Sequence, residues 1–567
     1  MKVSFLRKIR TVLFALLRIL TRQEKIAASI LIVVMVVSGF LTVLPTGGKL
    51  SVTGGIQPIS GGLIIEGMVG RPEFINPVLA KSELDKSLTS LVYAGLMQMN
   101  EKQEIVPDLA ARFEVSEDKK IYTLYLKPGL TWQDGKALDA DDVMYTVAVL
   151  QNPDYNGALK ATWEGIRAEK VDQLTVKFGL PRAYPLFLNA LTVGLLPWHL
   201  WADVKVSDFP TYPLNTKPVG AGAYQVNTIN QDKEGKIVTM ELTAFSKRQP
   251  HAPYISRFDI RFYNERSDLV KGLAKREISS AGLFSFDDAL AGDNLRGYTN
   301  HVVSLPQYVG LFFNLKKPGG SYVTDHAVRE AVAGALDRET LRAAANFSAG
   351  TVIDSPILQG YIGHSDDVKK YAQDVKTSQS LLSQAGWNDA DSNGIREKDG
   401  HDLSLLLAIP QDEQFVRVAD ELTRQLQVIG VRLDVRKGTA QEFEQQYLAT
   451  RAYDMVLIGE NVGLDADPYS YWHSSQSNYP GLNLSMFENG EVDKLLEEAR
   501  QTTDTNLKIR DYQKFQQIIA QELPAIMLYQ PVYVYKVSNQ VKGIGIAGIT
   551  NTWDRFASVV NWYINTK

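Results

Sequence analysis

Lys127–Val147 reads KPGLTWQDGKALDADDVMYTV, with Asp134, Asp139, Asp141 and Asp142 inside nine residues beside a tryptophan. Carboxylates at this density belong either to a metal or acid site or to scaffolding, and their spacing separates the two. Asp134-Gly135 is a favoured turn pair. Asp139 stands where a helix N-cap belongs, and Asp141 and Asp142 fall in the first turn, where negative charge meets the positive end of the helix dipole. Val143, Tyr145, Val147 and Leu150 continue as the helix body. A metal site needs carboxylates that converge on a point, whereas capping directs them along the chain, so the stretch reads as scaffolding.

The scaffold belongs to a chain of 567 residues, too long for one core, so two or three domains are expected. Its N-terminal arm is unlike the rest. Seven basic residues (Lys2, Arg7, Lys8, Arg10, Arg18, Arg22, Lys25) and one acid, Glu24, precede Ile26–Leu44, nineteen residues without a charge. As a helix that run spans about 28 Å, the thickness of a hydrocarbon core. The expectation is an uncleaved transmembrane anchor over 26–44 with a cytoplasmic basic arm over 1–25, which sends everything after Pro45 outside. Removing the arm's seven bases and one acid from the totals of 60 and 64 leaves a net charge of about −10, which argues against a nucleic-acid partner. There is no cysteine, so disulfides, thiolate metal sites, a cysteine nucleophile and a lipidated cysteine after the apolar run are excluded.

Ser51–Gly62 is rich in Gly, Ser and Pro, and 45–62 is expected to be a flexible tether. Folded structure is expected from Leu63, where LIIEGMV suits a buried strand. Apolar periodicity predicts helices over Ser82–Leu96, Asp325–Ala345, Gln379–Ala385, Glu413–Ile429, Glu491–Arg500 and Asn506–Gln521. Strands are predicted at IYTLYL, Val171–Phe178, Ile237–Thr243, VGLFFNL, LSLLLAI and VRLDVRK. Strands alternating with helices predict an α/β protein.

Several collinear segments resemble the extracellular solute-binding proteins of family 5, the peptide- and nickel-binding components of ABC importers. They are Leu91–Val147, KPVGAGAYQV (217–226), YVGLFFNLKKP (308–318), DHAVREAVAGALDRETL (325–341), YDMVLIG (453–459), DADPYSYWHS (465–474), EVDKLLEEAR (491–500) and the closing stretch 523–544. The resemblance implies a periplasmic-binding-protein-like II fold, with two lobes, a hinge and an extra domain inserted in the first lobe. The first lobe would comprise 63–95, 213–304 and 525–567, the inserted domain 96–212 and the second lobe 305–524. The hinge would lie near Leu305 and Leu523.

In peptide-binding members of that family, a carboxylate three residues before the acid of an acid-Pro pair receives the peptide's amino terminus. Here the pair is Asp467-Pro468 and the position holds Leu464, so Asp465 is the nearest replacement and Glu460 the next. The resemblance also implies ligand contacts from Arg71, Glu73 and Phe74 in the first lobe. From the second come Tyr308, Phe313, Asn314 and the aromatic walls Tyr469 and Trp472, the last equally readable as core.

Other patterns carry less. Asp389–Gly400 imitates a calcium loop but has Gly400 where the bidentate glutamate belongs. Gly543–Gly548 matches a dinucleotide fingerprint but lacks a following helix and the later acidic residue. The seven histidines are scattered singly, so no metal or other cofactor is expected. No motif places a nucleophile beside a base, and no enzyme is expected. The expected partners are an oligopeptide or other small solute, an ABC permease with its ATPase, and the cell membrane, for a monomer outside the cytoplasm. The alternatives are a surface sensor or peptide-binding chaperone, a binder of metal chelates or sugars, and a surface hydrolase on the same scaffold.

Overall fold

The computed structural model describes residues 58–567 except 185–186, 284–295, 346–348, 464–466, 503 and 565–567. The basic arm and the apolar run 26–44 lie outside the described residues. Among the described residues no helix is long and apolar enough to cross a membrane.

Leu63–Val69 is interior on both faces and pairs in parallel with Arg257–Tyr263 and with Ser280–Leu283. Parallel strands covered on both sides read as continuous apolar runs, which is the pattern of this segment. The sheet has seven strands, in the order Tyr298–Ser304, Val532–Ser538, Ser280–Leu283, Leu63–Val69, Arg257–Tyr263, Ile237–Ala244, Tyr224–Gln231. One inward side chain of Leu63–Val69 is an acid, Glu66, fully buried. It accepts from Ser280 Oγ, from Tyr535 Oη at 2.8 Å and from Arg555 Nε at 3.2 Å. Arg555 is itself buried and also donates to Ser87 Oγ and the Thr552 carbonyl.

A second sheet of six strands runs Thr351–Val352, Ala525–Gln530, Gln307–Phe313, Met455–Asn461, Ser404–Pro410, Arg432–Gly438. Its core is built from Leu311, Phe313, Leu405, Leu407 and Leu457 against helices such as Glu413–Gln427. A four-stranded antiparallel sheet lies, in sequence, inside the first: Ala110–Val115, Ile121–Leu126, Thr175–Gly179 and Arg167–Asp172. The buried pair Arg248–Asp108, at 2.6 Å, ties the approach to this sheet to the segment after Ile237–Ala244.

The acidic stretch is scaffolding. Asp139 caps helix Ala140–Leu150, its Oδ1 accepting from Asp141 N at 2.9 Å, while Asp142 Oδ2 returns a bond from Asp139 N at 3.1 Å. Asp142 also accepts from Trp198 N, Asp141 pairs with Lys170, and Asp134 Oδ1 closes its own turn by accepting from Lys136 N.

Three expectations are corrected. Asp325–Ala345 is two helices, His326–Ala335 and Arg338–Ala344, because Asp337 turns extended and caps the second by accepting from Glu339 N and Thr340 N. Val171–Phe178 is the turn and second arm of a hairpin, Arg167–Asp172 and Thr175–Gly179, with Asp172 Oδ1 accepting from Leu174 N in the turn. Ala525–Gln530 pairs with Gln307–Phe313 and Thr351–Val352, so it belongs to the six-stranded sheet and not with the strands expected from 525 onward. The chain changes sheets at Pro531. Leu523 instead ends helix Thr505–Glu522 in a left-handed conformation, φ 51°.

Candidate ligand-binding site

In open α/β sheets, ligands collect outside the carboxyl ends of the strands, where neighbouring connections diverge. Both large sheets present such ends. In the seven-stranded sheet, Leu63–Val69 and the parallel Arg257–Tyr263 finish side by side and lead into Gly70-Arg71 and Asn264. Arg71 Nη2 donates to Asn264 Oδ1 at 2.7 Å and its Nη1 to the Gly70 carbonyl at 3.0 Å. Buried Asp85 accepts from the amides of Glu73 (2.9 Å) and Phe74 (3.2 Å), fixing a loop whose Glu73 side chain is exposed. Arg71, Glu73 and Phe74 therefore share one loop at the carboxyl end of Leu63–Val69. Asn264 and Asp85, which hold it, carry no signal in the sequence that marks them out.

In the six-stranded sheet, Met455–Asn461 runs antiparallel to Gln307–Phe313 with Glu460 opposite Tyr308. Tyr308 Oη donates to Glu460 Oε2. Both side chains are buried, Tyr308 to 1% exposure and Glu460 to 5%. Glu460 Oε1 is buried and has no hydrogen-bond partner among the described residues. Burial without a cation pushes the Glu460 carboxyl up to about 8, the Tyr308 bond pulling the other way. Burial, and then the neighbouring carboxylate, likewise raise the Tyr308 phenol. One residue on, the Tyr471 hydroxyl holds the Asn461 carbonyl, and Tyr361 Oη donates to the Gly463 carbonyl at 3.0 Å.

The remaining expected contacts divide. Tyr469 stacks on His473 (centroids 4.1 Å apart, 19° between planes) and beneath the Arg500 guanidinium at 4.1 Å. Asp467 pairs with Arg500 Nε at 2.7 Å and accepts from Tyr469 N. Asp465 lies outside the described residues. Trp472 is core, 1% exposed between Phe312 and Phe515. Phe313 is fully buried in the core of the six-stranded sheet. Asn314 is buried too, its Nδ2 donating to the Arg451 and Tyr453 carbonyls, so it locks a turn.

The two sheets are joined where strands pass directly from one to the other. Tyr298–Ser304 becomes Gln307–Phe313 across Leu305-Pro306, and Ala525–Gln530 becomes Val532–Ser538 across Pro531 alone. The passages are bonded together: Leu305 N donates to the Pro531 carbonyl at 3.1 Å, and Gln530 Nε2 to the Leu305 carbonyl at 2.7 Å. Residues 104–481 match the bacterial extracellular solute-binding proteins, family 5. The chain belongs to that family.

Family 5 is a family of binding proteins rather than catalysts. This member is 27% identical over 527 residues to the oligopeptide-binding protein AppA of Bacillus subtilis, covering 90% of this chain and 94% of the relative. The structure of that protein in complex with a nonapeptide superposes with a TM-score of 0.69 at 24% identity, over 90% of this chain and all of the other. The fold is also that of NikZ from Campylobacter jejuni in complex with Ni(L-His), at 25% identity and a TM-score of 0.70, covering 88% and 99% of the two chains.

Proposed function

We propose that this family-5 protein is an extracytoplasmic receptor that captures oligopeptides between two lobes and delivers them to an ABC permease and its ATPase. The observation that carries this reading is the bonded pair of passages at Leu305-Pro306 and Pro531. Two short segments side by side let two sheets rotate about one line, the arrangement hinge closure requires. The first lobe then comprises 63–95, 213–304 and 532–567, the inserted domain 96–212, and the second lobe 305–531. Arg71, Glu73 and Phe74 form one lip of the cleft and Tyr308, Glu460, Asp467 and Tyr469 the other. Closure over the ligand creates the form a permease distinguishes. An extended peptide suits a cleft that offers main chain at strand ends. The segment 26–44 anchors the receptor as a single-pass monomer.

A second reading has its own support. Leu464 replaces the acid expected to receive a peptide amine, and the match to a nickel–histidine binder favours a compact chelate. Native mass spectrometry of the detergent-solubilised full chain separates the two. Added masses matching peptides from a mixed digest support the first, added nickel–histidine supports the second, and a bare chain in both mixtures overturns the receptor reading. Release of the protein from membranes by a salt wash would sink the anchor.

A further inference from the structure

We propose that Ser475 is a nucleophile with His473 as its base, and that the pair hydrolyses small carboxylic esters. This activity goes beyond the receptor reading and needs neither the cleft nor the hinge.

His473 follows helix Tyr469–Trp472 and is buried, its ring stacked on Tyr469. Its Nδ1 accepts from the Ser475 amide at 3.1 Å. An amide nitrogen only donates, so Nδ1 is unprotonated in the neutral ring and the proton sits on Nε2. That tautomer leaves Nδ1 able to act as a general base. Ser475 Oγ lies 2.8 Å from the same Nδ1, within reach of a proton transfer, and Ser475 is exposed to solvent. At the other ring nitrogen, helix Gly490–Gln501 presents two acids one turn apart. Glu497 Oε1 is 3.3 Å and Asp493 Oδ1 3.8 Å from Nε2. Nε2 is buried and makes no hydrogen bond among the described residues, so the carboxylates act on it through charge. Their charge favours the imidazolium that forms when Nδ1 takes a proton.

Capping explains only part of this arrangement. His473 caps the short turn Ser474–Gln476, and the Ser475 amide alone serves that purpose. Capping accounts neither for an exposed hydroxyl on the same nitrogen nor for two carboxylates at the opposite one. Nucleophile, base and acid are recognised by these roles and not by their order in the chain. Asp493 is held in place by the Ser474 amide at 2.8 Å, while Glu497 is about half exposed. Gln476 Nε2 donates to Ser475 Oγ at 3.1 Å, beside the point where negative charge develops when a carbonyl adds there. One side-chain donor stabilises that charge only modestly, which suits an ester, whose alcohol leaves readily, and not an amide.

Ser475 Oγ adds to the ester carbonyl carbon as its proton passes to Nδ1. The bond from that carbon to the alcohol oxygen then breaks, and the leaving oxygen takes the proton. Water adds to the acyl-serine by the same route, releasing the acid and restoring Ser475. The test gives p-nitrophenyl acetate to the full chain in detergent and reads nitrophenolate release, with peptide mass spectrometry of the acid-quenched protein. The expected result is release faster than in protein-free detergent and an acetyl group on Ser475. Ser475→Ala, at an exposed position, should lose both. His473→Gln keeps an acceptor for the Ser475 amide but no base, and should slow release by about a hundredfold or more. Glu497→Gln should slow it by about tenfold, the effect of one unit of lost charge stabilisation, and Glu497→Asp should restore most of the rate. A merely structural role for Glu497 would not separate those two variants. Release no faster than in protein-free detergent, acetyl groups on lysines alone, release that survives Ser475→Ala, or a folded His473→Gln as fast as the wild type overturns the proposal and leaves the receptor reading intact.

Discussion

Glu66 and Glu460 occupy comparable places and live by different rules. Each sits inside a central strand of one of the two large sheets, each is buried, and each accepts a tyrosine hydroxyl. Glu66 also receives Ser280 and the guanidinium of Arg555, so both its oxygens are met. Glu460 keeps one oxygen unmet and has no cation among the described residues. A buried acid that the chain has fully satisfied belongs to the fold. One left half satisfied carries a cost that the described residues do not repay.

The largest effect should come from breaking the satisfied member. Arg555→Met removes the guanidinium beside Glu66 and strands its charge, so unfolding stability should fall by about 3–5 kcal/mol. Chemical denaturation measures this, and a loss below about 1 kcal/mol would erase the distinction between the two acids. Next comes Glu460→Gln without ligand. The folded-state value lies near 8 against an ordinary 4.5, so the unfolded chain ionises first and the wild type loses stability as pH rises between those values. The variant escapes that loss. It should match the wild type near pH 4 and exceed it progressively up to pH 8, by at most about 1.4 kcal/mol per pH unit. Denaturation curves from pH 4 to 9 whose difference stays flat would show that Glu460 is already paired.

The two acids also differ in how they read from sequence. The alternating and periodic runs announce most strands and helices, because each element's burial pattern is local. Asp139 is legible for the same reason, since an N-cap is written within three residues. The partner of Glu66 lies 489 residues away, and no local pattern connects GLIIEGMV to TWDRF. The resemblance implies a hinge near Leu523, and no local pattern marks where the chain crosses between the sheets. Only the pairing of Ala525–Gln530 moves the crossing to Pro531. Phe313 and Asn314 stand in or beside the expected strand, but their burial is set by segments far along the chain. Glu460 is legible only as a substitute for a missing acid. Tyr471 and Arg500 are not legible at all: Tyr471 is one aromatic among three in YSYW, and Arg500 resembles any base that closes a helix.

Asp139→Ala asks whether capping acids behave like Glu66 or like Glu460. Its carboxylate closes the first turn of Ala140–Leu150 with local donors. The expected loss is about 1 kcal/mol in thermal or chemical unfolding, with solute binding unchanged. A change in binding larger than the change in stability would mean that the acidic stretch is more than scaffold.

The smallest effect belongs to Asp467, an acid placed between the two extremes. Its partner Arg500 is about half exposed and lies over the Tyr469 ring, which itself stacks on His473. An ion pair this open to solvent is worth about 0.2–1 kcal/mol and fades with salt, whereas stacking of a planar guanidinium on a ring does not. Arg500→Lys keeps the charge and discards the planar face. If the ion pair dominates, the lysine variant should equal the wild type at low ionic strength, and both should lose the advantage in about 1 M salt. If the stack dominates, the variant should fall short by a similar few tenths of a kcal/mol at every salt concentration. The stack is the expected winner, because Tyr469 is held from both sides while Asp467 already accepts the Tyr469 amide and keeps a partner without Arg500.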